Sequence, residues 1–202
     1  MKAVEIRKIG NFDGLKLVSR SVPDIGPREV LIRIRATSLN YRDLLVPLGN
    51  FPLPGNYIGR VPLSDGAGEV TSVGCDVKRF RIGDRVVANA LPDFIGGQVD
   101  ASHIKRNLGF DVDGMLVEFA ALDESALALV PEYMSYAEAA SLPCAALSAW
   151  VSLTGGNRAI AAGDTVLVQG SGGVSIFALQ LAKLFGARVI ATTSAHRKAC
   201  GR

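Results

Sequence analysis

Cysteine is scarce in this chain, and its spacing suits neither metal nor disulfide chemistry. The 202 residues hold three, Cys75, Cys144 and Cys200, far apart and without a C-x-x-C pair. That argues against a disulfide framework and a cysteine-cornered zinc cluster, and leaves reduced thiols as the simplest reading. Also missing is an 18-residue apolar run free of polar residues, so no membrane-spanning helix is expected. The first residues, Met1-Lys2-Ala3-Val4-Glu5-Ile6-Arg7, lack a signal-peptide core, and the expected location is the cytoplasm. Neither sign of charge gathers into a stripe or tail: 22 basic and 19 acidic residues are scattered, for a net +3. Nucleic acid and membrane are therefore not expected partners. Internal repeats and low-complexity tracts are absent too.

What is present is a composition able to fill a core, 49% hydrophobic and 20% charged with mean hydropathy +0.27. The length allows one large or two small domains. The early part reads as strands at 15–18, 30–36, 68–73, 85–88 and 116–122, divided by Gly and Pro. In 30–36, Val30, Ile32, Ile34 and Ala36 share one face while Arg33 and Arg35 share the other, as in a half-buried antiparallel strand. A short helix is expected over 40–48, ending near Pro47 and Gly49. Residues 92–113 lack periodicity and read as a long, mobile excursion. Ser135-Tyr136-Ala137-Glu138 spells a capping box that opens a helix, and 144–153 reads as a second helix after Pro143. The expected organisation is a β-rich domain over 1–130, then a helical junction and an α/β start over 131–202.

That start carries the strongest chemical signal. Thr165-Val166-Leu167-Val168-Gln169-Gly170-Ser171-Gly172-Gly173-Val174-Ser175 is a buried strand running through a glycine turn into an apolar helix, which Gly186 stops before a second strand near 187–193. This is the pattern of a nucleotide-binding βαβ unit: Gly170 turns off the strand and Gly172 lets amides approach a pyrophosphate at the helix N-terminus. The backbone of Gly170, Ser171, Gly172, Gly173 and Val174 is the expected phosphate cradle. Ser175 stands where the fingerprint has its third glycine. About 20 residues after the first glycine an NAD site usually carries an acid for the ribose 2′-hydroxyl. Here stand Thr193 and Ser194, followed by His196, Arg197 and Lys198. Without a carboxylate and with cations at hand, a 2′-phosphate is welcome, and NADP(H) is the expected cofactor. The plainer alternative is that Arg197 and Lys198 solvate a helix start, and that His196 and His103 are surface residues.

With these residues noted, Asn40-Tyr41-Arg42-Asp43, the run from Pro62 to Val70, Gly83-Asp84-Arg85-Val86-Val87-Ala88, and the run from Ala140 to Trp150 complete a resemblance along essentially the whole chain. The sequence resembles the medium-chain dehydrogenase/reductase superfamily, in its zinc-independent quinone oxidoreductase-like and alcohol dehydrogenase-like branch. The resemblance implies an α/β protein with a GroES-like barrel followed by a Rossmann domain, and hydride transfer between nicotinamide and a quinone, enone, aldehyde or alcohol. It also implies a homodimer for a full-length relative. Where zinc-dependent relatives keep ligands, this chain has Asn40, Ser64-Asp65 and Cys144, and residues 89–121 lack cysteine. No metal is expected, and Cys144 reads as a small buried apolar residue.

In the absence of a metal the resemblance places Asn40 beside the nicotinamide, able to donate to a carbonyl as charge develops, with Tyr41 and Asp43 as further catalytic candidates. Each has a plainer alternative: Asn40 as a helix cap, Tyr41 as packing, Asp43 as a surface or domain-closing ion partner. Phe51 replaces a tyrosine that many relatives carry, which weakens a tyrosine-acid mechanism. Ser148 resembles the residue touching the nicotinamide side; otherwise it bonds its own helix backbone. A doubly wound sheet needs about six strands, and two are legible here. The expectation is a C-terminally truncated chain whose segments 166–168 and 189–191 show bare apolar faces. The second hypothesis is accordingly an inactive GroES-like and partial Rossmann fragment that acts at most as a binding or interaction module.

Overall fold

Buried charge hides the first strand from a reading of periodicity. In β1 (Lys2–Ile6) Ala3 and Ile6 are buried, yet so is Glu5, so neither face is cleanly apolar. Arg20 neutralises it, with Nε 2.5 Å from Glu5 Oε1, and β2 (Leu15–Ser19) pairs antiparallel alongside. In β3 (Glu29–Ser38) the expected alternation is realised: Val30 and Ile32 are buried and Arg33 and Arg35 are exposed. A short helix α1 (Tyr41–Leu45) follows; it stops before Pro47 rather than running to 48. Next come β4 (Asp65–Val73), β5 (Arg85–Ala88), β6 (Phe119–Asp123) and β7 (Leu127–Leu129). The five described strands of this sheet are ordered β6-β3-β4-β5-β7, all antiparallel.

The computed structural model describes residues 1–52, 57–97, 106–156 and 158–193, and divides the chain into Met1–Pro143 and Cys144–Arg202. Val30, Ile32, Val70, Phe80, Val86 and Met115 fill the core of the first unit. Two expectations are corrected here. The described parts of 92–113 are not a loose excursion: Leu108 and Phe110 are buried, and the Leu108 N–H donates to Ala90 at 3.0 Å. Part of that stretch, with His103, lies outside the described residues. Strand β6 begins later than 116, because the chain before it crosses to β1, Val4 N–H donating to Leu116 and Glu118 N–H to Lys2. The helix α2 (Tyr136–Ala140) packs Ala139 and Ala140 against Ala67 and Val130, so the junction belongs with the first unit up to Pro143.

Residues Leu142–Ala146, where the chain passes from the first unit to the second, wind as one wide π-turn. Pro143 has no N–H to give the ordinary ladder, which accounts for the loosened winding. Helix α3 (Leu147–Thr154) follows. Strand β8 (Thr165–Gln169), helix α4 (Gly173–Leu184) and strand β9 (Arg188–Thr192) form the expected βαβ unit, with β8 and β9 parallel. Trp150 on α3 and Phe185 at the end of α4 approach ring to ring at 5.6 Å. Among the described residues no helix is long and apolar enough to cross a membrane.

Candidate functional site

Strand register creates the polar cluster of the first unit. Ser38 at the end of β3 pairs with Asp65 at the start of β4, so the turn into α1 sets Asn40, its N-cap, beside Asp65. The Asn40 Nδ2 donates to Asp65 Oδ2 at 3.0 Å, and Ser64 Oγ donates to Asp65 Oδ1 at 2.6 Å. Asp43, third residue of α1, reaches back so that its Oδ2 accepts the Asn40 backbone N–H at 2.8 Å, satisfying one orphan donor of the helix start. Ser64, Asp65 and Asp43 are all buried.

Asp43 is not a surface group, then, though it keeps an ion partner: Arg42 Nε lies 3.8 Å from its Oδ1. Arg42 in turn donates to Asn107 Oδ1 at 2.9 Å and to the Leu108 carbonyl at 2.7 Å, which ties α1 to the loop that fills the core. Burial pushes the Asp43 carboxyl above its ordinary value, against the pull of the Asn40 N–H and the Arg42 charge. Tyr41 is 76% exposed and takes no part in this cluster. Asn40 and Asp43 are thus brought together as a pair, while Asp65 is the member that sequence reading saw only as the occupant of a lost metal position. A contact between residues 25 apart leaves no local signal.

The donor set of this cluster does not suit zinc. A zinc site needs three protein ligands; here there are two buried carboxylates, of which Asp65 already accepts bonds on both oxygens and Asp43 holds the start of α1, and among the described residues no group of three His, Cys, Asp or Glu is placed to hold a metal.

In the second unit the glycine turn has the expected form. Gly170 sits at φ +83, a conformation few side-chain-bearing residues adopt. Its N–H is taken by Thr192, from the carbonyl at 3.1 Å and Oγ1 at 3.3 Å, so the turn is locked to the end of β9. Gly172, the N-cap of α4, has ordinary angles of φ −79 and ψ 177, and a Cβ built there would meet no atom within 4 Å. Beyond it the first intrahelical bond is Ile176 N–H to Gly172 at 3.0 Å, so the amides of Gly173, Val174 and Ser175 remain as helix-start donors. Ser175, at the third-glycine place, donates Oγ to the Gln169 carbonyl at 2.9 Å; a serine there fastens helix to strand rather than wedging them apart. The arrangement fits a phosphate-bearing nucleotide.

Ser148 lies exposed on α3, its carbonyl accepting Ser152 Oγ at 2.8 Å. Thr193 is half-buried just past β9. Ser194, His196, Arg197 and Lys198 lie outside the described residues. Thr192 is the participant that the sequence reading passed over.

Residues 26–132 match the model of the alcohol dehydrogenase GroES-like domain. The chain belongs to that family. Its sheet and βαβ unit accord with the medium-chain dehydrogenase/reductase superfamily. One similar relative of this family member is a zinc-type alcohol dehydrogenase-like protein of Schizosaccharomyces pombe, 42% identical over 95% of this chain and 56% of its own length. Another is an NADPH-dependent alkenal/one oxidoreductase of Arabidopsis thaliana, 35% identical over 98% of this chain and 48% of its own. A crystal structure described as an alcohol dehydrogenase of Sinorhizobium meliloti 1021 matches with a TM-score of 0.90 and 39% identity, covering 98% of this chain and 58% of that one. The chain spans about half the length of the curated relatives it matches.

Proposed function

We propose that this chain is part of an NADPH-dependent, zinc-independent oxidoreductase acting on a quinone, enone, aldehyde or alcohol. The observation that carries the reading is Gly172: the fold asks nothing of glycine there, since its angles suit any residue and its surroundings are empty. A ligand that must approach the backbone closely supplies the missing reason. The amides of Ser171, Gly172, Gly173 and Val174 then hold the pyrophosphate at the start of α4, with Gly170 making the turn. Thr193, Ser194, Arg197 and Lys198 receive a 2′-phosphate in place of the carboxylate that would repel it. Ser148 contacts the nicotinamide side.

When bound, the nicotinamide supplies or accepts the hydride. In the first unit Asn40 orients the substrate oxygen through the second Nδ2 hydrogen and stabilises charge developing on it. Asp43 fixes the Asn40 backbone, and Tyr41, next to Asn40 in the chain and largely exposed, is a further catalytic candidate. The expected setting is cytoplasmic and, for the full-length protein, homodimeric. The name of the Arabidopsis relative supports an NADPH and alkenal assignment; that of the yeast relative mentions zinc, for which this donor set is unsuited.

Titration of NADPH and NADH by fluorescence tests the cofactor, and tighter NADH binding overturns the Thr193 assignment. Gly172→Ala should melt as the native chain does while weakening NADPH by about tenfold or more, because its methyl fills the approach to the phosphate. A second reading, a binding module without turnover, is favoured by the bare face of the second unit, where Leu167 and Ile190 are 59% and 45% exposed. NADPH oxidation with quinone, enone or aldehyde decides against it; saturable partner binding without turnover decides for it.

A further inference from the structure

Asparagine is nearly symmetric in shape about its last torsion, so a half-turn exchanges its carbonyl oxygen and its amide nitrogen at almost no steric cost. An asparagine that must present a donor to substrate needs something to choose between those two states. In this chain Asp65 makes that choice from below, beside the capping box in which the Asn40 side chain faces the start of α1. Asp65, with no solvent exposure, accepts from Asn40 Nδ2 at 3.0 Å. Turning the amide over would set Oδ1 against Oδ2, two acceptors about a hydrogen-bond length apart in a buried place. Ser64, equally buried, donates to the other carboxylate oxygen at 2.6 Å and thereby fixes the carboxylate itself. Asp43 holds the Asn40 backbone at 2.8 Å, so the two ends of one residue are gripped by two separate carboxylates.

We infer that Asp65 is a positioning residue, with Ser64 behind it: it locks the Asn40 side chain in the orientation that leaves one amide hydrogen directed away from the buried carboxylate. The inference rests on the donor role proposed above for Asn40. It assigns a use to Ser64 and Asp65, which stand where a metal-binding relative would keep ligands.

Two measurements separate this inference from the reading beneath it. In the full chain, the Asn40 side-chain NH2 pair is identified in a proton–nitrogen correlation spectrum by its loss in Asn40→Ala. One of its two protons should lie downfield and exchange slowly in the native chain. The near-isosteric Asp65→Leu, which removes both acceptor oxygens, should erase that asymmetry with the backbone spectrum otherwise kept, and Ser64→Ala should reduce it. An unchanged NH2 pair in both variants overturns the inference, whether or not the chain turns over. Where NADPH-dependent reduction of 1,4-benzoquinone is measurable, Asp65→Leu should lower kcat/KM by about tenfold in the native background and less than about twofold in the N40A background, the non-additivity of residues acting as one unit. Equal losses in the two backgrounds overturn it, because Asp65 would then act independently of Asn40. Absence of turnover in the native chain counts against the oxidoreductase reading alone, and the spectrum then decides the positioning role.

Discussion

Leu63 occupies the left-handed region at φ +71 although it is not glycine, directly before Ser64 and Asp65. Its side chain is buried and its carbonyl accepts the Met115 N–H at 2.8 Å, so surrounding structure holds a backbone the residue itself disfavours. Both truncations lose the buried leucine, yet Leu63→Gly should be the more stable by about 1 kcal/mol, the reverse of the usual order in regular structure. Chemical denaturation of L63G and L63A checks this; a more stable alanine variant shows that no strain is stored.

Two carboxylates also give opposite pH signatures. Burial raises Asp43 above 3.8, so the stability it contributes is present below 3.8 and lost as pH rises from there through its raised value. Burial pushes Asp123 up as well, but the Arg28 guanidinium and the Ser125 N–H outweigh it and hold the group at about 2. Its contribution is present above 3.8 and lost as pH falls toward about 2. Thermal melts as a function of pH should show Asp43→Asn flattening the limb above 3.8 and Asp123→Asn the limb below it, the latter weakly because the group is partly solvated.

At the scale of elements, stability follows from devices of unequal visibility. The α2 capping box is spelled in four residues and formed as spelled: Glu138 Oε2 accepts the Ser135 N–H at 2.8 Å and Ser135 Oγ accepts the Glu138 N–H at 3.2 Å. Ser135→Ala should cost about 1 kcal/mol by chemical denaturation. Ile32, at the centre of β3 and flanked by β4 and β6, should cost about 2 to 5 kcal/mol when cut to alanine, since the hole cannot collapse between paired strands. The alternation of β3 and the strand-glycine-helix pattern of the βαβ unit were legible for the same reason as the box, being short-range. Strand β1 was not, because Glu5 occupies a core-facing position through an ion pair with Arg20, the residue just after β2. The π-turn through Pro143 likewise reflects a missing donor whose outcome depends on how the following helix is held.

Across the whole molecule the units Met1–Pro143 and Cys144–Arg202 differ in how well they cover their apolar surface. The first encloses its core, whereas in the second Leu167 and Ile190 are register partners on β8 and β9 and both stand exposed. Parallel sheets are ordinarily covered on both faces. The double substitution Leu167→Lys with Ile190→Lys should leave the melting temperature nearly unchanged while reducing concentration-dependent self-association in sedimentation; a sharp loss of stability would show that the face is already packed. The sequence by itself determined the family, the strand and helix patterns with strong periodicity, and the glycine turn, because each is written in neighbouring residues or at one period. Tertiary structure alone decided that Asn40 meets Asp65, that Thr192 takes the Gly170 N–H, and that Leu63 bends against its preference. Those facts depend on strand register and on loops crossing between strands, where contacts join residues far apart in the chain and no local pattern records the pairing.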